Sequence, residues 1–312
     1  MIFEYIYLVV GFVILLTSGS LLVKAAVSIA SHLKISPLVS GITVVALGTS
    51  APEFFVSLGA ALKGSPDIAI GNVVGSNISN IALVLGVTSV ILPLPVLKKT
   101  VQFDWFVMML ASLLFLLFSF TDSSIVLWEG IVMISILCWY LFHSIYHSRK
   151  AMISHGELRE AKYSWFVSLL MILVASLGLY FGADLLVNNA QKIAVSMGVS
   201  ERVIGVTIIA LGTSLPELAT SVVAACKKEL DISVGNIIGS NIFNLLGVLG
   251  VTSIIKQIVV DSSILHFDVF VLIAVSFILL ILLLIPARYV LQAWNGVLLF
   301  VGYLAYAFFV FI

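Results

Sequence analysis

Apolar runs of about 20 residues or more, separated by short polar turns, fill this chain almost from end to end,. As a helix, a run of that length crosses the roughly 30 Å hydrocarbon core of a bilayer. Barrel strands alternate apolar and polar residues, and these runs do not. The composition agrees: 62% of the 312 residues are hydrophobic and 10% charged, with a mean hydropathy of +1.24. A soluble domain carries about 25% charged residues, so this chain has too little polar surface to face water. It reads as an all-α integral membrane protein whose surrounding partner is lipid. The formal net charge is zero, which gives no sign of a nucleic-acid partner. The two cysteines, Cys138 and Cys226, lie in or beside apolar runs and supply no disulfide framework,. The first run opens with acidic Glu4 rather than a basic segment, and no small-residue cleavage site follows, so no removable signal is expected,.

Ten spans are expected, near residues 4–31, 36–62, 67–94, 102–120, 123–146, 164–195, 201–226, 231–256, 264–285 and 288–311. The longest polar stretch, HSRKAMISHGELREAKYS at 147–164, lies near the middle. The expected organisation is a first five-helix unit over 1–146, a connecting loop over 147–163 and a second five-helix unit over 164–312. Lysine and arginine in short loops favour the cytoplasmic side. With the central loop in the cytoplasm and both termini outside, ten cations fall inside: Lys34, Lys98, Lys99, Arg149, Lys150, Arg159, Lys162, Lys227, Lys228 and Arg288. Four fall outside, Lys63, Lys192, Arg202 and Lys256, and Lys24 lies within a span. That imbalance sets the expected orientation, in a plasma or inner membrane.

Residues 41–90 align with 205–254 without a gap, at a constant offset of 164, with 28 identities in 50 positions. The matches include Gly, Thr, Ser, Pro, Glu and Asn, which a shared apolar composition does not explain. The chain is internally duplicated. The offset spans five helices, an odd number, so the second copy is expected to cross the membrane in the opposite direction. Inverted repeats of this kind build secondary transporters whose substrate site lies at mid-membrane between the repeats.

The repeated segments read GITVVALGTSAPEFFVSLGAAL and GVTIIALGTSLPELATSVVAAC, with Glu53 and Glu217 deep inside them. An ionisable group at mid-span costs about 2.5–3.5 kcal/mol on insertion scales. Two facing carboxylates also repel, and a bound cation relieves both penalties. No basic residue stands in either segment at that depth to pair with them. Gly48 and Pro52, like Gly212 and Pro216, are expected to break the helix, because proline removes a donor and frees the carbonyl four residues earlier. Carbonyls at Ala46 and Ala210 would then turn toward a cavity. Thr49 and Ser50, and Thr213 and Ser214, add hydroxyls beside each acid.

The next helices carry GNVVGSNISN at 71–80 and GNIIGSNIFN at 235–244. Gly71 with Gly75, and Gly235 with Gly239, are small-xxx-small pairs expected to pack closely against another helix. Ser76 with Asn80, and Ser240 with Asn244, share a helix face. Asn72 and Asn236 read as hydrogen bonds between helices. A single membrane hydroxyl often bonds only its own backbone. The matched acids are harder to explain structurally. Everything offered is oxygen, with no His or Cys, which suits hard cations such as Ca²⁺, Na⁺ or Mg²⁺.

On these two motifs the chain resembles the calcium/cation antiporter superfamily, and within it the sodium/calcium exchanger branch, of the prokaryotic form without a large regulatory loop. The resemblance covers both repeats and the ten-helix plan. It implies exchange of Na⁺ for Ca²⁺ by alternating access, in a prokaryotic inner membrane, with no cofactor and no protein partner. It also implies that Glu53 and Glu217 bind both ions in competition. Thr49, Thr213, Ser50, Ser214, Ser76, Ser240 and the Ala46 and Ala210 carbonyls match the family's oxygen donors. Spans 1 and 6 would be its sliding gate. The chain departs from potassium-dependent members at Asn244, matched by Asn80, where they carry Asp; this argues against K⁺ dependence. It departs from the calcium/proton branch at Gly75 and Gly239, where that branch has an acid. A divalent cation/proton antiporter and a cation channel are the competing expectations. An intramembrane enzyme fits worst, because the serines have no His or Lys at their depth and no HExxH segment exists,.

Overall fold

A computed structural model of the chain describes residues 2–155, 160–197, 212–261, 264–285 and 289–310. Ala210 and the first part of the span expected at 201–226 lie outside the described residues, as do Arg159, Arg202 and Arg288. The described residues are almost wholly helical. The helices are α1 (Ile2–Leu33), α2 (Pro37–Thr49), α3 (Ala51–Leu62), α4 (Pro66–Ile91), α5 (Thr100–Thr121), α6 (Leu127–His155), α7 (Trp165–Ser196), α8 (Leu215–Cys226), α9 (Leu230–Ile255), α10 (Ile264–Leu284) and α11 (Ala293–Val310). Eight are long and apolar enough to cross a membrane singly; α2 and α3, bent by 47° at Ser50, add a ninth span as a pair.

Sequence sets the helix starts. Ser36 and Ser164 each accept the backbone N–H three residues on, at 3.4 Å, and Pro37 follows Ser36 in the first turn, where its missing donor costs nothing,. Helices α4 and α9 form the centre: 78% of the most apolar stretch of each is buried, against 28% for α1 and α7. Those two outer helices have 32 residues each, about 48 Å of helix, and exceed the bilayer core, so they must tilt or protrude,. They touch backbone to backbone. A Cβ at Gly11 would stand 2.9 Å from the Gly182 carbonyl oxygen, and one at Gly182 would stand 3.1 Å from that of Gly11.

Three features depart from the sequence expectation. Helix α6 continues to His155 instead of ending near 146, into the expected 147–163 loop; HSRKAMISH contains no Gly or Pro to stop it, and Arg149 and Lys150 are exposed,. Short antiparallel ribbons form at the ends of expected spans: β1 (Leu94–Pro95) pairs with β4 (Val290–Leu291), and β2 (Ser124–Ile125) with β3 (Ile258–Val259), so the spans expected at 123–146 and 288–311 open as strand rather than helix. The offset of 164 carries β1 onto β3, so each ribbon joins non-equivalent strands from the two halves. Finally, π-helical turns interrupt the central helices at Gly41–Val45, Asn80–Leu85 and Phe243–Val248. Such bulges occur frequently at functional sites.

Gly235 and Gly239 pack as expected: added Cβ atoms would meet the Leu38 and Ile42 carbonyl oxygens at 2.5 Å, and the Gly239 one would also meet the Ala46 Cβ at 2.9 Å. The segment that the offset of 164 sets opposite Gly71 and Gly75, 202–210, lies outside the described residues. Gly239→Val should overpack the α2–α9 contact, costing about 1–3 kcal/mol. Thermal unfolding in detergent checks this; a midpoint equal to that of the unsubstituted protein would contradict it.

Candidate cation-binding site

The bend between α2 and α3 falls at Ser50, whose φ of −84° and ψ of 4° leave the helical region. Gly48 does not break the helix as expected. Helix α2 stays wound through Gly48 to Thr49, and the glycine instead admits a neighbour: a Cβ there would stand 2.8 Å from Ser176 Oγ of α7. Pro52 follows the bend, its missing donor tolerated in the first turn of α3,. Pro216 is placed likewise in α8, after Ser214 with φ −87° and ψ 0°. A Cβ at Gly212 would stand 2.8 Å from Val187 Cγ2. Each break brings an acid into a helix first turn, Glu53 in α3 and Glu217 in α8, where the helix dipole favours negative charge,.

Both acids are fully buried. Glu217 Oε1 accepts Ser50 Oγ at 3.2 Å, from the opposite repeat, and Ser240 Oγ at 3.5 Å. Among the described residues neither oxygen of Glu53 has a partner, nor does Glu217 Oε2. Thr49 Oγ1 donates toward Asn236 Oδ1 at 3.1 Å and lies 3.3 Å from Ser240 Oγ. Ser76 Oγ lies 3.4 Å from Thr213 Oγ1, the same contact between the other two segments. Ser214 Oγ and both amide atoms of Asn80 and of Asn244 are buried without partners among the described residues. Buried polar groups are ordinarily paired, and each orphan costs about 1–3 kcal/mol. The bare carboxylate oxygens, with the Ser50 and Ser240 hydroxyls beside Glu217, match the donor chemistry of a hard-cation substrate,.

The expected Ala46 carbonyl is not free. It accepts the Ser50 N–H at 2.9 Å and Thr49 Oγ1 at 3.3 Å, because α2 remains helical at that point. Pro52, lacking an N–H, leaves the Gly48 carbonyl without its usual helical donor instead. Asn72 and Asn236 act as read from the sequence. Asn72 Nδ2 donates to Ser57 Oγ at 2.9 Å and to the Glu53 carbonyl at 3.2 Å, and Asn236 Nδ2 donates to Ser221 Oγ at 3.0 Å. They tie each acid-bearing helix to the helix that follows it. Asn77 and Asn241 escaped the sequence reading. Both are fully buried, and Asn241 Nδ2 donates to the Asn77 carbonyl at 3.3 Å where α4 meets α9. Their matched place in the two GSN triplets was the available signal.

A cavity of about 200 Å³ adjoins this centre, lined by Pro52, Val56, Ala183, Asp184, Thr213 and Pro216 among others. The matching faces of α1 and α8 are in contact instead: a Cβ at Gly19 would stand 3.3 Å from the Thr220 Cα.

The chain matches the family model described as sodium/calcium exchanger protein over residues 3–146 and 167–312. It is 40% identical to the putative antiporter CaxA of Alkalimonas amylolytica over 289 residues, 90% of each chain. It is 31% identical to the sodium/calcium exchanger MaX1 of Methanosarcina acetivorans, over 97% of each chain. Its fold is similar to that of the sodium-calcium exchanger NCX_Mj, with a TM-score of 0.81 at 30% identity over 97% of each chain. The chain belongs to the sodium/calcium exchanger family.

Proposed function

We propose that this protein is a secondary transporter that exchanges Na⁺ for Ca²⁺ by alternating access, without K⁺, and that Glu53 and Glu217 carry the ions. The observation that carries the reading is the pair of fully buried carboxylates, three of whose four oxygens have no partner among the described residues, with the Ser50 and Ser240 hydroxyls on the fourth and no basic counter-charge in their helices. What MaX1 and NCX_Mj are named for, sodium/calcium exchange, supports the choice of ions.

The architecture proposed is ten transmembrane helices in two inverted-topology five-helix repeats, with both termini outside and the 147–163 segment in the cytoplasm of a prokaryotic cell. The crosswise β-ribbons and the matched Thr49–Ser240 and Ser76–Thr213 contacts favour it. Two carboxylates balance one Ca²⁺ or two Na⁺. A third Na⁺ would leave one positive charge in transit, worth about 2.3 kcal/mol per 100 mV. An empty or half-filled site carries unbalanced charge through a low-dielectric barrier, so it changes face slowly, and that suppresses leak. Thr49, Ser50, Thr213, Ser214, Ser76, Ser240, Asn80 and Asn244 supply further oxygens, with Ala210 as the carbonyl expected opposite Ala46.

Glu53→Gln or Glu217→Gln removes a charged ligand, worth about 1.5–3 kcal/mol or roughly tenfold to a hundredfold in affinity. Na⁺-gradient-driven ⁴⁵Ca²⁺ uptake into proteoliposomes should therefore collapse in both variants; uptake persisting in either would sink the site. Uptake driven by a pH gradient without Na⁺ would transfer the reading to cation/proton exchange, and flux with no counter-ion at all to a channel. Because Asn80 and Asn244 limit the central acids to two, replacing K⁺ by choline should leave the wild-type rate unchanged. Asn244→Asp adds a third carboxylate and should make the rate respond to K⁺.

A further inference from the structure

Asp184 sits in the second half of α7, where the apolar first half gives way to Asn188, Asn189, Gln191 and Lys192, and it is not among the groups that meet Glu53 or Glu217 above. Its carboxylate is exposed to the cavity beside Pro52 and Thr213, and among the described residues nothing bonds it. A charge at such a place calls for a partner or a role.

The offset of 164 supplies the comparison. It carries Gly19 onto Ala183, Ser20 onto Asp184, Val56 onto Thr220 and Lys63 onto Lys227. In one half, the Gly19 face of α1 lies against the Thr220 backbone. At the end of α8, Lys227 Nζ donates to the Ser20 carbonyl at 3.0 Å and to Ser20 Oγ at 2.5 Å. In the other half, Ala183 and Val56 line the open cavity instead. Lys63, at the C-terminal cap of α3 just as Lys227 is at that of α8, stands exposed. The turns after the two lysines match as well, with φ of +81° at Gly64 and +64° at Lys228. One half therefore shows the latched form of a contact whose two components stand apart in the other.

We infer that Lys63 and Asp184 form an ion pair that closes this cavity in the opposite-facing state, and that the Lys227–Ser20 contact opens when they do. The inference rests on the inverted-repeat transporter reading, in which the halves exchange conformations to exchange access. The two latches differ in chemistry. Lys227 meets a neutral hydroxyl and a carbonyl, and burial, together with the nearby Lys24 ammonium, lowers its pKa. Lys63 would meet a carboxylate, and position 188, the equivalent of Lys24, is uncharged Asn188. The ion pair is the stronger contact, so it favours closure on its own side once the site can move.

The test joins the two positions. Lys63→Cys and Asp184→Cys are combined in a chain carrying Cys138→Ser and Cys226→Ser, because both native cysteines are exposed. A short bifunctional thiosulfonate, which attaches to each cysteine through a reducible disulfide and releases sulfinate, suits a lysine-length gap better than a direct disulfide, which needs Cα atoms within about 7 Å. Mass spectrometry of the reconstituted protein should show the bridged product, and Ca²⁺ uptake should stop with it and return on reduction. Separately, Lys63→Asp and Asp184→Lys should each slow uptake, and the double swap should restore it. No bridge under any ion condition while uptake runs normally overturns the inference. So does a double swap no faster than the singles, which would make Asp184 a solitary cation lure. If the wild type shows no Na⁺-driven Ca²⁺ uptake yet the bridge forms, the exchange reading falls and the latch stands.

Discussion

Two carboxylates buried at the middle of an apolar bundle set the terms for everything around them. Each would cost about 2.5–3.5 kcal/mol to insert alone, and their mutual repulsion adds to that. The fold answers with what it has: a helix first turn for each acid, and for Glu217 a hydroxyl from each half of the chain, Ser50 and Ser240. It leaves Glu53 bare and Glu217 half-paired. A residual deficit of this kind is what a transporter needs. A site satisfied by its own side chains would gain little from a cation and would have no reason to wait for one.

The asymmetry between the halves is the second consequence. Glu217 holds Ser50 and Ser240, whereas Ser214, the equivalent of Ser50, has no partner. Gly19 meets α8, and its equivalent Ala183 faces a cavity. Related segments, with 28 of 50 positions identical, are thus packed differently in the two halves. Packed interfaces tend to be bistable rather than continuously deformable, which is the premise of the latch proposed above.

Much of the fold was legible because hydropathy is a one-dimensional signal. Runs long enough to cross a bilayer, the GTSAPE and GTSLPE breaks and the matched acids could be read directly. What was missed shares a physical cause. The π-turns at Asn80 and Phe243 depend on how a helix is strained by its neighbours, and they leave no residue signature. The β-ribbons are two residues long, too short for periodicity to register. The Ala46 carbonyl was expected to be free because Gly48 and Pro52 both weaken helices, yet tertiary contact with Ser176 and Gly239 keeps α2 wound until Ser50. Helix α6 outran its expected end because nothing in HSRKAMISH stops a helix once lipid no longer decides its length.

The sequence by itself determined the membrane class, the duplication and the chemical nature of the centre, because each follows from residue type and spacing along the chain. The tertiary structure decided which hydroxyl meets which carboxylate and that Gly19 meets α8 while Ala183 lines a cavity. Those choices lie beyond a sequence reading for a specific reason. The repeated segments carry the same polar residues at the same spacing, so which copy makes a given contact depends on how each is packed against its neighbours.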